Sequence, residues 1–166
     1  MISKNGPALG LYVVLWIALG GIVQSRFAMA GPQEASAKRS VWTGVYTDDQ
    51  ARRGEAQYAR NCESCHGADL SGNPVQEVPS LVYDAFLTQW NNRAVKDLYE
   101  TVRRSMPRDN PGGLNARAYI DVIAYILQAN KIPSGTKELT LNAEQLADIV
   151  IERDAATTTK DAKDAK

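Results

Sequence analysis

Three stretches of this chain repeat apolar residues at spacings of three and four, the period of one face of an α-helix. In the first, Ala51, Gly54, Tyr58 and Cys62 keep one face small and apolar. Thr47 stands before it as an N-cap with Gln50 three residues on, the capping-box pattern, and Asp48 and Asp49 suit the positive end of a helix dipole. A helix from about Asp48 to Asn61 is predicted. In the second stretch Val95, Leu98, Tyr99, Val102 and Met106 form one stripe, which Pro107 ends. In the third, "ARAYIDVIAYILQAN", the core face is Tyr119, Val122, Ile123, Ile126 and Leu127. Two shorter helices are expected, one over "DAFLTQW" with Ala85 or Phe86 and Trp90 turned inward, the other over "NAEQLADIVIER" with Asn142 as its cap. The segments "HGADLSGNPVQEVPSLV" and "PRDNPGGLN" are rich in Gly, Pro and Asn without a period, so they read as loops. No stretch alternates with the period of a strand and no repeat is visible. The expected fold is all-α, with three main helices plus short helices and loops.

A length of 166 residues suits one domain with additions at its ends. Lys4, the uncharged run from Pro7 to Gln24 and the small-x-small triplet Ala28-Met29-Ala30 follow in the order of a secretory signal peptide, which residues 1–30 are expected to form. The competing reading is a retained membrane anchor through residues 7–24. That run is slightly shorter than the roughly 20 apolar residues of a spanning helix, and it contains Gly10, Gly20 and Gly21. Cleavage near Ala30 would leave a periplasmic or otherwise extracytoplasmic protein. Residues 31–46 then read as a tether leading to an ordered start near Trp42 and Tyr46, 47–133 as the domain, 134–153 as a C-terminal extension and 154–166 as a charged, disordered tail. The 19 basic and 19 acidic side chains balance, and removal of Lys4 and Arg26 with the leader leaves 17 against 19, a formal charge of −2. No basic footprint of a nucleic-acid binder is present.

Both cysteines and the single histidine of the chain fall within "CESCH", residues 62–66. A structural zinc site needs four ligands, usually including a second cysteine or histidine pair, and none follows. A thioredoxin-like redox pair would follow a strand in an α/β sheet, whereas this motif follows a capped helix. A structural disulfide across two residues closes a loop too small to stabilise much and leaves His66 unexplained. C-x-x-C-H is the signature of covalent haem attachment. In that reading Cys62 and Cys65 add as thioethers to the two vinyl groups of one porphyrin, and His66 coordinates the iron. The second axial ligand follows by elimination, since a haem iron with one histidine commonly takes a methionine or another histidine. Methionine stands at positions 1, 29 and 106, so only Met106 survives loss of the leader. Met106 also reads as an ordinary core residue closing an apolar stripe; its uniqueness and its place at a helix-to-loop junction favour the iron.

With these residues the chain resembles a class I c-type cytochrome over about Thr47 to Pro133. "GEAQYARNCESCHG" is similar to the first helix of that family and "DVIAYIL" to its last. The resemblance implies a cytochrome c fold wrapped around one covalent haem c, with Gly54 letting two helices cross closely while Tyr58 and Tyr125 pack at the crossing. "VPSL" resembles the segment whose proline carbonyl holds the ligand histidine, which makes Pro79 the candidate partner of His66. "SMPRDNPGGL" after "DLYETVRR" is similar to cytochromes found beside, or fused to, quinoprotein alcohol dehydrogenases. Phe86 and Trp90 read first as packing against the haem, and Trp90 also as an indole N–H donor to a propionate. Arg93, Arg103, Arg104 and Arg108 read first as a solvated face.

The function implied is that of an electron-transfer protein rather than an enzyme: an exported monohaem carrier passing one electron from a donor dehydrogenase to an acceptor oxidase or other cytochrome. One alternative is a dedicated cytochrome subunit of a larger oxidoreductase. Another is a haem enzyme or gas sensor in which Met106 dissociates, which a chain with a single histidine disfavours.

Overall fold

The structure, a computed structural model, describes residues 38–154. The expected signal peptide or anchor, the first part of the tether and the tail from residue 155 onward lie outside the described residues.

Helix α1 runs over Asp48–Asn61 with Thr47 as its cap, the threonine hydroxyl accepting the Gln50 N–H. The second half of the expected capping box does not form. The Gln50 side chain turns into the core instead and bonds the backbone of Leu139, because a buried amide there meets both a donor and an acceptor. A one-turn helix α2 (Glu63–His66) follows, then a loop, α3 (Tyr83–Trp90), α4 (Val95–Ser105), α5 (Ala116–Ala129) and α6 (Ala143–Asp148). Asn115 caps α5 by accepting from Ala118 N–H, and Asn142 caps α6 by accepting from Gln145 N–H. Helix α5 is enclosed almost all round, burying Ile120, Asp121 and Ala124 beyond its expected core face.

The pair α1 and α5 forms the centre of the fold. Gly54 has no room for a side chain, since a β-carbon there would overlap the Asp121 carbonyl. Close approach brings Tyr58 and Tyr125 together with ring centroids 5.3 Å apart and planes tilted by 53°. Beside them Asp121 accepts both Nε and Nη2 of Arg53, at 3.0 and 3.1 Å, and Arg53 also reaches Glu138 at 2.9 Å.

The expectation that no strand forms is corrected by a small three-stranded sheet. Strands β1 (Arg39–Ser40), β2 (Arg93–Ala94) and β3 (Ile149–Ile151) lie in the order β1-β3-β2, with β3 parallel to β1 and antiparallel to β2. Segments of two and three residues are too short to show an alternating pattern. The sheet begins at Arg39, a few residues before the ordered start expected near Trp42 and Tyr46. Val41, Val45 and Tyr46 are buried, the Trp42 indole donates to the Glu152 carbonyl at 2.8 Å, and the Tyr46 hydroxyl donates to the Ile132 carbonyl. Leu139, Leu146, Ile149 and Ile151 of the C-terminal extension complete the same core. Among the described residues no helix is long and apolar enough to cross a membrane.

Candidate functional site

A cavity of about 780 Å³ opens between the "CESCH" segment and helices α3, α4 and α5. Its size lies within the roughly 300–1,000 Å³ range of cofactor sites. Phe86, Trp90, Leu98, Val102, Val122 and Ile126 give it apolar walls. Cys62, Cys65 and His66 line it from the end of α1 and from α2, Pro79 from the following loop, and Met106 from the end of α4. The six residues singled out in the sequence, Trp90 included, thus border one space. Val102 and Met106, at the far end of the α4 stripe, are only half-buried because that end faces the cavity.

The local backbone explains how three chemical groups fit into five residues. Cys65 and His66 both donate their N–H to the Cys62 carbonyl, at 3.1 and 2.9 Å, so the chain turns tightly after α1. The two thiols are free, Cys65 exposed and Cys62 half-buried. Burial, with the neighbouring Cys65 adding to it, pushes the Cys62 thiol up to about 11. The turn is then pinned from three directions: Gly67 N–H reaches Glu63 O at 2.9 Å, Gly72 N–H reaches His66 O at 2.8 Å, and the Tyr58 hydroxyl donates to Gly67 O at 2.6 Å.

His66 is 7% exposed, with Nδ1 3.1 Å from the Pro79 carbonyl. A carbonyl can only accept, so Nδ1 carries the hydrogen and Nε2 keeps its lone pair. Burial lowers the His66 pKa below the ordinary imidazole value, and the charge of Arg108 acts in the same direction against the Pro79 bond. The ring is therefore held neutral, the form that binds metals.

Met106 closes α4, donating its N–H to Val102 O at 2.9 Å before the backbone turns extended. The Tyr119 hydroxyl donates to the Met106 carbonyl at 2.7 Å. Trp90 is buried under the guanidinium of Arg93, which lies 4.5 Å from the ring centroid and 3.9 Å from Asp97. Arg93 therefore stacks on a cavity wall, whereas Arg103 and Arg104 are exposed and Arg108 borders the cavity. The hydroxyl bonds of Tyr58 and Tyr119 escape sequence reasoning. Both residues stand on core faces, but nothing in the pattern says which backbone carbonyl each meets.

Two thiols three residues apart, a neutral imidazole with a free Nε2 and a thioether, grouped around an apolar cavity, suit a covalently attached haem. Residues 49–126 match the family model described as cytochrome C oxidase, cbb3-type, subunit III, a c-type cytochrome domain that spans α1 to most of α5. The domain is a class I c-type cytochrome. The cytochrome has a cytochrome c fold, and its cofactor is covalently bound haem c with iron. Domains of this kind transfer electrons outside the cytoplasm. Among solved structures, the crystal structure of the sulfane dehydrogenase SoxCD from Paracoccus pantotrophus is similar to 75% of this cytochrome and over 71% of its own chain, with 22% identity and a TM-score of 0.47. No curated protein matches the chain.

Proposed function

We propose that this cytochrome is an exported monohaem one-electron carrier, with Cys62 and Cys65 bonded to the porphyrin and His66 and Met106 as axial iron ligands. The observation that carries the reading is the convergence of these four residues on one apolar cavity. When bound, the haem supplies an iron that cycles between two oxidation states. The chain's own residues do the rest. The turn after α1 presents both thiols on one short segment, fixing the cofactor by one edge. Pro79 orients the His66 ring and raises its basicity. The thioether of Met106 is neutral and soft, a ligand that favours a relatively high potential. Phe86, Leu98, Val122 and Ile126 keep water from the metal, and Trp90 forms a further wall with its N–H suited to a propionate. His66 and Met106 would both hold the iron, an arrangement that would disfavour direct binding of oxygen or peroxide.

The donor in this reading is a periplasmic dehydrogenase, a quinoprotein alcohol dehydrogenase being the class suggested by "SMPRDNPGGL", and the acceptor is a downstream oxidase or cytochrome. Residues 1–30 would direct export and be cleaved near Ala30. A second reading, a dedicated subunit of a larger oxidoreductase, is supported by the description of the matching family as an oxidase subunit.

Spectra of the reduced protein with and without carbon monoxide test the closed coordination sphere: rapid binding at neutral pH would overturn it. Met106→Ala should abolish the methionine-to-iron charge-transfer band while leaving haem attached, and an unchanged band would show that another residue is the ligand. His66→Ala should prevent a normal holoprotein from forming. Recovery of the native protein alone or with stoichiometric partners separates carrier from subunit.

A further inference from the structure

The two segments that carry the proposed axial ligands hang from the central helix pair by the same kind of bond. Tyr58 on α1 donates its hydroxyl to Gly67 O, one residue beyond His66. Tyr119 on α5 donates its hydroxyl to Met106 O. Both rings are buried, at 2% and 1% exposure. Tyr119 does more than its counterpart, because its oxygen also accepts Leu114 N–H at 3.4 Å. One hydroxyl therefore ties the two ends of the loop from Met106 to Leu114.

We propose that Tyr119 is a positioning residue for Met106, its hydroxyl fixing the methionine backbone and so the place of the thioether. This deepens the carrier reading and rests on its His66/Met106 ligation. Met106 has left the helix, with φ −126° and ψ 153°, so its carbonyl has no place in the helical ladder. The partners of that carbonyl are the Tyr119 hydroxyl at 2.7 Å and Gly112 N–H at 3.4 Å, and the hydroxyl is the closer. The methionine side chain has three rotatable bonds and specifies little by itself. Its backbone anchor must supply the precision. His66 is different, because its ring is held by Pro79 and its backbone by the turn between two cysteines.

The test is a titration of the ferric holoprotein with imidazole, which competes with methionine for iron, followed through the methionine-to-iron charge-transfer band. Tyr119→Phe keeps the ring in the core and removes only the hydroxyl. Imidazole should displace the methionine at roughly one fifth of the wild-type concentration, the effect of losing one neutral hydrogen bond. Tyr58→Phe removes the corresponding hydroxyl on the histidine side and should leave the imidazole titration within about twofold of wild type. If Tyr119→Phe titrates like wild type, or if Tyr58→Phe weakens the methionine equally, the positioning role is overturned. Met106→Ala keeps the two levels apart: a retained band there overturns the ligation itself, whereas a lost band combined with an unaffected Tyr119→Phe titration overturns the positioning role alone.

Discussion

Gln50 and Leu139, far apart in sequence, form a two-bond pair inside the core: the glutamine Nε2 donates to Leu139 O at 3.0 Å, and Leu139 N–H donates to Oε1 at 2.8 Å. The first turn of α1 is thereby joined to the C-terminal extension. Gln50→Ala leaves a buried N–H and a buried C=O without partners, each costing about 1–3 kcal/mol. The urea midpoint of the holoprotein should fall accordingly. Gln50→Glu should also lose stability, because a carboxylate can accept from Leu139 N–H but cannot donate to its carbonyl; a wild-type midpoint for both variants would contradict this account.

Gly54→Ala tests the helix crossing. The added methyl meets the Asp121 backbone, which cannot rotate away, so α1 and α5 must separate. Overpacking of this kind costs about 1–3 kcal/mol. Thermal unfolding should show a lowered midpoint with haem content retained.

Ile151 is fully buried in the central strand of the sheet. Ile151→Ala should cost about 2–5 kcal/mol by loss of burial and creation of a cavity. A loss below about 0.5 kcal/mol, the level of ordinary surface substitutions, would mean that the extension is dispensable.

Alkaline pH should destabilise the fold through Tyr46. Burial first, and then the nearby Asp48, push its hydroxyl from 10.0 up to about 12. The folded state keeps this proton after the unfolded chain has released it. The contribution is fully present below pH 10 and is lost as pH rises through 12. Denaturant unfolding between pH 9 and 12 should show this decline, and Tyr46→Phe should show a shallower one from a lower starting stability. Burial raises the Tyr58 hydroxyl as well, so part of the slope should persist in the variant.

Local signals carried most of what could be read from the sequence. The bounds of α1 follow from its cap and from the dense spacing after Thr47, whereas the close crossing at Gly54 is what the resemblance to class I c-type cytochromes implies. Grouping of the cavity residues was foreshadowed by scarcity, with so few side chains able to meet iron. Bonds to distant backbone were not legible. Gln50 looks like half of a capping box until Leu139 arrives beside it, and Tyr119 looks like any core aromatic until its oxygen meets Met106. Strands of two or three residues leave no periodic trace, which is why the mini-sheet is not legible in the sequence.

The strand order has a consequence for assembly. Because β3 lies between β1 and β2 but comes last in the chain, the two outer strands have nothing to pair with until residues 149–151 arrive. A polypeptide emerging N-terminus first has already delivered "CESCH" and Met106 while this seam is still open. The final strand therefore closes the sheet only after both stretches that line the cavity have emerged.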